Sequence, residues 1–357
     1  MTTAKDDFPY KRLCSDMAAQ IRVRFTNLIE YRPTFRKMIY NINNAPDFRT
    51  QNLRFCFAGS MDPLIMVLDA RDYEKYNLIS DYFIEQYRIR AYRSDDPARE
   101  SVYDYWNKHR DELSDNDCAR SREAIYRAKM EVGTFRPTVA TGLVWLMRAH
   151  LGTPCEWVLN PCAGWGDRLI GFAAAGIKGL VDVDPNVQLG AQYAQIRDWT
   201  RTLMPQDRAL QYTYIPRPFE DISCDELLAI PGRGYDLVLM DPPYFDLEVY
   251  VRDDTEHTQS ISRYTTFEDW YNKFLMACAR KCGECLRIGG LFALIINQAP
   301  SARADPRMRF LHRMVSDITR TTSVRLRYLG VISYAEVRDG ARIRSPQPMW
   351  MWSRERA

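Results

Sequence analysis

Short apolar runs separated by longer mixed stretches dominate the second half of the chain. The run Tyr235–Met240 is rich in branched residues, follows Gly234 and ends at two prolines, so it predicts a buried strand. Similar runs predict strands at Glu156–Leu159, Gly179–Val183, Tyr212–Ile215, Leu291–Ile296, Val324–Tyr334 and Met349–Trp352. Helices are predicted between these strands, and Ile288-Gly289-Gly290 is predicted to end one of them. Strands that alternate with helices and close with an antiparallel pair predict an α/β protein with a doubly wound sheet.

The first 130 residues show a different pattern, in which aromatic and charged residues are interleaved. Apolar residues recur at helical spacing over Tyr73–Arg90 and Ser121–Met130, and Asp95-Asp96-Pro97 predicts a further helix start. We therefore divide the chain into a mainly helical N-terminal region, 1–130, and a larger α/β domain, 131–357. Substrate recognition and bracing of the larger domain are both compatible with the N-terminal region.

A turn with two glycines, Gly164 and Gly166, follows the strand predicted at Glu156–Leu159 and precedes a helix. Glycine lets a ligand approach the backbone closely, and a helix N-terminus offers free N–H groups. The spacing matches neither the dinucleotide fingerprint nor the phosphate loop. The next strand leads to Asp184, an acid roughly 20 residues further on, where a ribose hydroxyl can be held. The alternative is a structural turn with a capping aspartate.

The motif Asp241-Pro242-Pro243-Tyr244 ends the strand Tyr235–Met240. Two prolines cannot continue a sheet, because neither has an N–H to donate and each holds its φ angle near about −65°. The chain must leave the sheet in a stiff turn at the carboxyl end of a strand, where open α/β sheets bind ligands. A strand-ending turn with a packed tyrosine is the alternative. The polar segment Phe245–Thr266 has no steady period, which favours a functional or mobile loop.

Composition narrows the class of protein without indicating a partner. The chain has 357 residues and a formal net charge of +3, so its global charge favours no ligand. Its sequence contains no apolar stretch of about 18 residues or more, and its first residues lack the apolar core of a signal peptide. Nine cysteines follow no disulfide-like pattern. We expect a soluble intracellular protein, cytoplasmic or nuclear and not secreted, that lacks a disulfide framework.

Two further patterns each leave an alternative open. Cys278, Cys282 and Cys285 form one helical stripe with Phe274, which favours packing in the core over a metal site. From Ser301 onward, arginines outnumber acids by more than two to one. That excess fits either a surface for a phosphate backbone or a solvated basic face.

The motifs together resemble those of the S-adenosylmethionine-dependent amino-methyltransferases, which modify adenine N6 or cytosine N4. Asp241–Tyr244 matches their catalytic motif, and Asn160–Gly166 is similar to their Asp-Pro-Phe-x-Gly-x-Gly cofactor motif. In that second motif, Asn160 replaces the usual aspartate and Cys162 the aromatic residue. Phe135–Thr138 occupies the place of their upstream cofactor segment. With the string Pro242–Tyr250, the chain looks most like methylases of bacteriophages and large DNA viruses, over about residues 131–357.

This resemblance implies a Rossmann-like methyltransferase sheet, S-adenosylmethionine as cofactor and nucleic acid as partner. The cysteine spacing and the lack of a long apolar run predict no metal site and no membrane span. It implies methyl transfer to adenine N6 in DNA, with RNA adenine, cytosine N4, a protein glutamine or an idle cofactor-binding subunit as alternatives. The implied catalytic residues are Asp241, Pro242, Pro243 and Tyr244, and the implied base-stacking residues are Tyr244 and Phe245. The implied cofactor-binding residues are Phe135, Arg136, Pro137, Thr138, Asn160, Pro161, Cys162, Ala163, Gly164, Gly166, Asp184, Glu220 and Asp221.

Overall fold

A computed structural model of the chain describes residues 7–14, 16–37, 64–69, 72–93, 98–114, 116–129, 131–205, 209–250, 258–297, 310–320, 323–338 and 342–356. The helix start predicted at Asp95-Asp96-Pro97 and part of the arginine-rich stretch after Ser301 lie outside these residues.

Strands and helices alternate along the described part of the chain. The strands are β1 Thr34–Lys37, β2 Leu64–Asp69, β3 Tyr92–Arg93, β4 Trp157–Pro161, β5 Gly179–Val183, β6 Gln211–Ile215, β7 Tyr235–Met240, β8 Glu248–Val249, β9 Leu286–Ile295, β10 Leu326–Arg338 and β11 Arg342–Arg354. The helices are α1 Lys11–Cys14, α2 Met17–Glu30, α3 Asp72–Arg88, α4 Val102–Lys108, α5 Arg110–Leu113, α6 Cys118–Ala128, α7 Pro137–Trp145, α8 Asp167–Ala174, α9 Gly190–Arg201, α10 Cys224–Ala229, α11 Ser260–Arg263, α12 Phe267–Asp269, α13 Met276–Cys285 and α14 Leu311–Thr319. Helix α7 continues as the π-helical turn Leu146–His150, and the π-helical turn Trp270–Leu275 joins α12 to α13.

The main sheet has the strand order β1-β2-β10-β11-β9-β7-β4-β5-β6 among the described residues. Strands β6, β5, β4, β7 and β9 run parallel, and β11 lies antiparallel between β9 and β10. This confirms the predicted doubly wound α/β sheet with an antiparallel C-terminal strand. The strand order reverses at β4, whose neighbours are β5 on one side and β7 on the other. In such sheets the crevice at this reversal is the usual ligand site.

The predicted helix end at Ile288-Gly289-Gly290 is wrong, because α13 ends at Cys285 and β9 begins at Leu286. The two glycines belong to an irregularity inside β9, where the pairing with β7 shifts register. A Cβ atom at Gly290 would lie 2.9 Å from the carbonyl oxygen of Tyr235, so only glycine lets the two strands approach there. Glycine marks a close approach of strands in this case, and not the end of a helix.

The N-terminal region packs directly on the sheet of the larger domain. Its described part is mainly helical, as predicted, but β2 pairs in parallel with β10 and adds β1 and β2 to the main sheet. Phe25 of α2 and Ile79 of α3 are fully buried in the same apolar cluster as Val158 of β4. The described residues of 1–130 and of 131–357 therefore share a core.

The described cysteines include one disulfide-bonded pair and one buried stripe. Cys14 and Cys118 form a disulfide that joins α1 to α6, with their Cα atoms 5.3 Å apart. The sequence shows no disulfide-like pattern and did not predict this bond, because the two residues are distant in sequence and only folding brings them together. The stripe Cys278, Cys282 and Cys285 lies fully buried in an apolar cluster, as its helical spacing predicted. The described residues contain no group of three or more histidine, cysteine, aspartate or glutamate side chains placed so that they could hold a metal ion.

No helix in the described ranges is both long enough and apolar enough to cross a membrane.

Candidate active site

A cavity of about 560 Å³ lies at the carboxyl ends of β4, β5 and β7. It occupies the crevice where the strand order reverses, which is the position expected for a ligand in an open α/β sheet. Ten of the residues predicted from the sequence line it, namely Phe135, Arg136, Cys162, Gly164, Asp184, Glu220, Asp241, Pro242, Pro243 and Tyr244. Three separate sequence motifs therefore meet around one space.

The other predicted residues lie outside the cavity lining. They are Pro137, Thr138, Asn160, Pro161, Ala163, Gly166, Asp221 and Phe245. Pro137 and Thr138 are buried in the first turn of α7. They begin the helix that follows the cavity-lining residues Phe135 and Arg136. Phe245 packs its ring against Phe267 and Trp270, with centroids 5.8 and 5.9 Å away, and so does not form the second wall for a base.

Asn160 supports the sheet below the cavity. It is fully buried at the end of β4, and its amide donates to Asp182 Oδ1 on β5 at 2.7 Å. The hydroxyl of Tyr212 donates to the other oxygen of Asp182 at 3.0 Å. Burial raises the pKa of Asp182 to about 7, although both donors oppose the rise. Asp182 thus joins three parallel strands, because it accepts from Asn160 of β4 and from Tyr212 of β6.

The glycine turn consists largely of residues with left-handed backbone angles. Cys162, Gly164 and Gly166 have φ angles of 58°, 71° and 82°. A Cβ atom at Gly166 would lie 2.9 Å from Ile196 Cδ1 and 3.0 Å from Ile84 Cδ1. Gly166 therefore serves close packing against α9 and α3, whereas Gly164 exposes its backbone to the cavity.

The carboxylate of Asp184 is held by two backbone N–H groups beyond the end of β5. Gly164 N donates to Oδ2 at 2.9 Å, and Asn186 N donates to Oδ1 at 3.0 Å. Burial raises the pKa of Asp184, and these two hydrogen bonds oppose the rise. Because a carboxylate has about four acceptor positions, Asp184 retains capacity to accept hydroxyl groups from a ligand in the cavity.

Arg168 forms an ion pair with Asp241, with 3.0 Å between Nη1 and Oδ2. Its Nη2 donates to the carbonyl oxygen of Cys162 at 2.5 Å, and its guanidinium carbon lies 4.9 Å from the centre of the Phe135 ring. Sequence reasoning missed this residue. The available signal was its place in the first turn of α8, where a basic side chain opposes the helix dipole.

Ionisable groups that are half-buried, together with the buried Arg168, surround Asp241. Burial raises the pKa of the Asp241 carboxyl group, and the guanidinium of Arg168 opposes the rise. A second acid, Glu248, also lines the cavity and accepts a hydrogen bond from the hydroxyl of Tyr250. Burial raises the pKa of Glu248, and the negative charge of Asp241 adds to the rise. The cavity therefore presents two acceptor groups on this side.

Glu220 lines the cavity and Asp221 does not, although both carboxylates contact Nη1 of Arg263, at 3.0 and 2.9 Å. Glu220 lines the cavity, and its Oε1 accepts from the hydroxyl of Tyr264 at 2.9 Å. Asp221 is exposed outside the cavity and pairs with Arg263 at 2.9 Å. The ammonium group of Lys281 donates to the carbonyl oxygens of Phe219 and Glu220, each at 2.9 Å, and so holds this turn in place.

The segment after Asp241–Tyr244 is tied to two other parts of the chain. Strand β8 within it pairs with β3 of the N-terminal region. The ring of Tyr250 contacts Trp165 of the glycine turn, with centroids 5.8 Å apart, and its backbone N–H donates to Gln259 at 3.1 Å. The described part of the predicted functional loop therefore forms a wall of the cavity.

Neither a family model nor a curated protein matches the sequence. Among solved structures, the chain is similar to the N-methyltransferase NodS from Bradyrhizobium japonicum, with 9% identity and a TM-score of 0.34, over 57% of this chain and 86% of that one. It is also similar to TrmN from Thermus thermophilus, with 14% identity and a TM-score of 0.35, over 62% of this chain and 50% of that one. A third similar structure is the SAM-dependent O-methyltransferase from Thermotoga maritima, with 12% identity and a TM-score of 0.33, over 63% of this chain and 68% of that one. Values this low carry no information about activity.

Proposed function

We propose that the protein transfers a methyl group from S-adenosylmethionine to an exocyclic amino group of a nucleic-acid base, with adenine N6 in DNA favoured. The observation that carries this proposal is the shared cavity of Asp241 and Asp184. Asp241 can accept a hydrogen bond from the N–H of an amine, and Asp184 can accept from ribose hydroxyls. Both residues face the same cavity.

The residues around Asp184 fit the methyl donor. The cavity of about 560 Å³ falls within the usual range of ligand pockets, about 300–1,000 Å³. Asp184 has acceptor capacity for ribose hydroxyls, Phe219 and Glu220 line the part suited to the adenine, and Gly164 exposes backbone to the methionine end. When bound, S-adenosylmethionine supplies an electrophilic methyl group on a sulfonium centre and leaves as the neutral thioether.

Asp241 and Pro242 act on the amine. An exocyclic amine conjugated to its ring is a poor nucleophile, and acceptors for both of its N–H groups favour a pyramidal nitrogen with an available lone pair. Asp241 and the Pro242 carbonyl are the two acceptors. The nitrogen lone pair forms the new bond to the methyl carbon, the carbon–sulfur bond breaks onto sulfur, and the nitrogen gives up one proton. Asp241 accepts that proton, since its carboxylate already holds the N–H. Positioning and directed electrostatics supply most of the rate.

Tyr244 holds the base itself. Its ring lines the cavity beside Asp241, and stacking of a base on an aromatic ring contributes about 1–3 kcal/mol with little base preference. A base inside a duplex cannot reach such a cavity, so the target must be extruded or single-stranded.

The alternatives share the chemistry of a conjugated or amide nitrogen. Asp241 can accept a hydrogen bond from the NH₂ group of each alternative, namely RNA adenine, cytosine N4 and a protein glutamine. Adenine is favoured because the resemblance associates Asp-Pro-Pro-Tyr with that base. A cofactor-binding subunit without activity has no use for a carboxylate that faces the cavity.

One experiment separates these outcomes. The full chain is incubated with methyl-labelled S-adenosylmethionine and DNA, RNA or protein, and product nucleosides are identified by mass spectrometry. We expect N6-methyladenine in DNA. Asp241→Ala should lower transfer by about a hundredfold or more, while cofactor affinity measured by calorimetry stays within about threefold. Asp225→Ala, which removes an exposed acid on α10, is the matched control.

Robust turnover by Asp241→Ala contradicts the mechanism. Cofactor binding without transfer to any of the three polymers supports the idle subunit instead.

A further inference from the structure

Arg168 contacts each of the three motifs that the sequence singled out. It pairs with Asp241 of the catalytic motif, donates to the Cys162 carbonyl of the glycine turn, and lies over the ring of Phe135 from the upstream segment. These contacts come from one side chain on α8. A displacement of Arg168 would therefore alter the relative positions of all three.

The two partners of the ion pair differ in exposure. The side chain of Arg168 keeps 4% of its surface open, whereas that of Asp241 keeps 24%. Asp241 lines the cavity, so its open surface faces the space that a substrate would enter. Arg168 supports the carboxylate from behind. Because Arg168 occupies Oδ2, Oδ1 is left to accept from a ligand.

Among the described residues, four other ionisable groups feel the charge of Asp241 and none of the four is a cation, whereas the cavity-lining Arg136 acts on Tyr334. The four are Tyr244 of the same turn, Glu248 and Tyr250 of the following segment, and Tyr334 of β10. The negative charge of Asp241 opposes ionisation of Glu248, since the two are like-charged when both have lost their protons. A carboxylate that is largely enclosed in such surroundings is stabilised in its charged form by a cation beside it.

We propose that Arg168 is a positioning residue that keeps Asp241 ionised and directs its free oxygen toward the amine of the substrate. The arginine also holds the catalytic turn against the glycine turn and Phe135. The catalytic value of this arrangement rests on the proposed function, whereas the effect of Arg168 on the charge of Asp241 does not.

The test replaces the cation and follows the Asp241 carboxyl group directly. An opposite charge at this distance lowers the pKa of an aspartate by about 1–3 units. In Arg168→Met, the titration midpoint of Asp241 should therefore rise by about one pH unit or more, which is about tenfold in proton affinity. The full chain is labelled with carbon-13 at its aspartate carboxyl groups, and the signal of Asp241 is identified by its loss in Asp241→Asn.

Two further variants separate charge from packing. Arg168→Lys keeps a cation, so its Asp241 midpoint should stay near that of the wild type, while loss of the planar fork lowers kcat. Arg148→Met is the matched control, because Arg148 donates to the carbonyls of Cys155 and Ala175 away from the cavity. It should lower stability without moving the Asp241 midpoint.

Turnover gives a second readout. The acidic limb of the kcat/KM profile should shift to higher pH in Arg168→Met by the same amount as the Asp241 midpoint, because the protonated acid cannot accept an N–H. A purely structural role would lower activity equally at all pH values and leave the midpoint unchanged, and that result would overturn the proposal. Wild-type protein without transfer to any polymer overturns the proposed function instead, and the titration still decides the effect of Arg168.

Discussion

The side-chain amide of Asn77 donates to the carboxyl group of Asp167, with 2.9 Å between Nδ2 and Oδ1. Asn77 lies on α3 of the N-terminal region, and Asp167 is in the first turn of the helix that follows the glycine turn. The same amide approaches the carbonyl oxygen of Phe135 at 2.5 Å and Thr134 Oγ1 at 3.1 Å. One side chain thus links two walls of the cavity, which favours a bracing role for the N-terminal region.

Asn77→Ala should weaken cofactor binding by about tenfold, because the Phe135 segment and the glycine-turn helix lose their common partner. It should also lower the free energy of unfolding by about 1–3 kcal/mol, since buried acceptors are left unpaired. Calorimetry with S-adenosylhomocysteine and urea unfolding measure the two effects. Asn116→Ala is the control, since the exposed Asn116 donates only a 3.3 Å bond to the Leu113 carbonyl. Unchanged affinity in Asn77→Ala contradicts the bracing role.

Asp167 should make stability depend on pH in the neutral range. Burial raises its pKa from 3.8 to about 8, so the folded state binds the proton more tightly than the unfolded state. Stability from this group is therefore complete below about pH 4 and is lost as pH rises toward about 8. Asp167→Asn keeps an acceptor for Asn77 and Ser80 but cannot ionise.

The variant should lose less stability than the wild type between pH 6 and pH 8.5, as measured by urea unfolding at both values. Comparison of the two proteins cancels the other titrating groups. Equal pH dependence in both would show that Asp167 is already ionised in the folded protein.

Asp184→Ala should weaken binding of S-adenosylhomocysteine by about ten- to a hundredfold. Hydrogen bonds to a charged group contribute about 1.5–3 kcal/mol, and each 1.4 kcal/mol or so is a factor of ten. Asp221→Ala should leave affinity within about twofold, because Asp221 is exposed outside the cavity lining and Arg263 keeps its ion pair with Glu220 when Asp221 is removed. Equal effects of the two substitutions in calorimetry would place the ribose elsewhere.

Cys118→Ser should lower stability under oxidising conditions only. The bond to Cys14 spans 104 positions of sequence, and closure of a loop of about 100 residues is expected to contribute up to about 4–5 kcal/mol. Under a thiol reductant the wild type and the variant should unfold at the same urea concentration. A wild-type midpoint that does not respond to the reductant would show that the two thiols are not bonded.

Local signals in the sequence were sufficient to predict the central strands and the edge of the sheet where Asp184 and Asp241 lie. Tyr235–Met240 is a strand over the predicted residues, because a branched apolar run followed by two prolines has few other conformations. Asp184 and Asp241 could be expected to meet, since the carboxyl ends of parallel strands share one edge of a sheet. Each of these inferences depends on neighbours within a few residues or on a general rule of sheet topology.

Packing between distant segments decided the rest. Asn77 and Asp167 are 90 residues apart in sequence, and Cys14 and Cys118 are 104 apart. A local sequence pattern therefore predicts neither contact. Phe245 has the residue type expected of a base-stacking wall, but its ring fills a space between Phe267 and Trp270. A side chain's type limits what it can do, whereas its direction depends on volumes that only the folded chain defines. For that reason the catalytic motif was visible in the sequence, and the arginine that pairs with Asp241 was visible only in the structure.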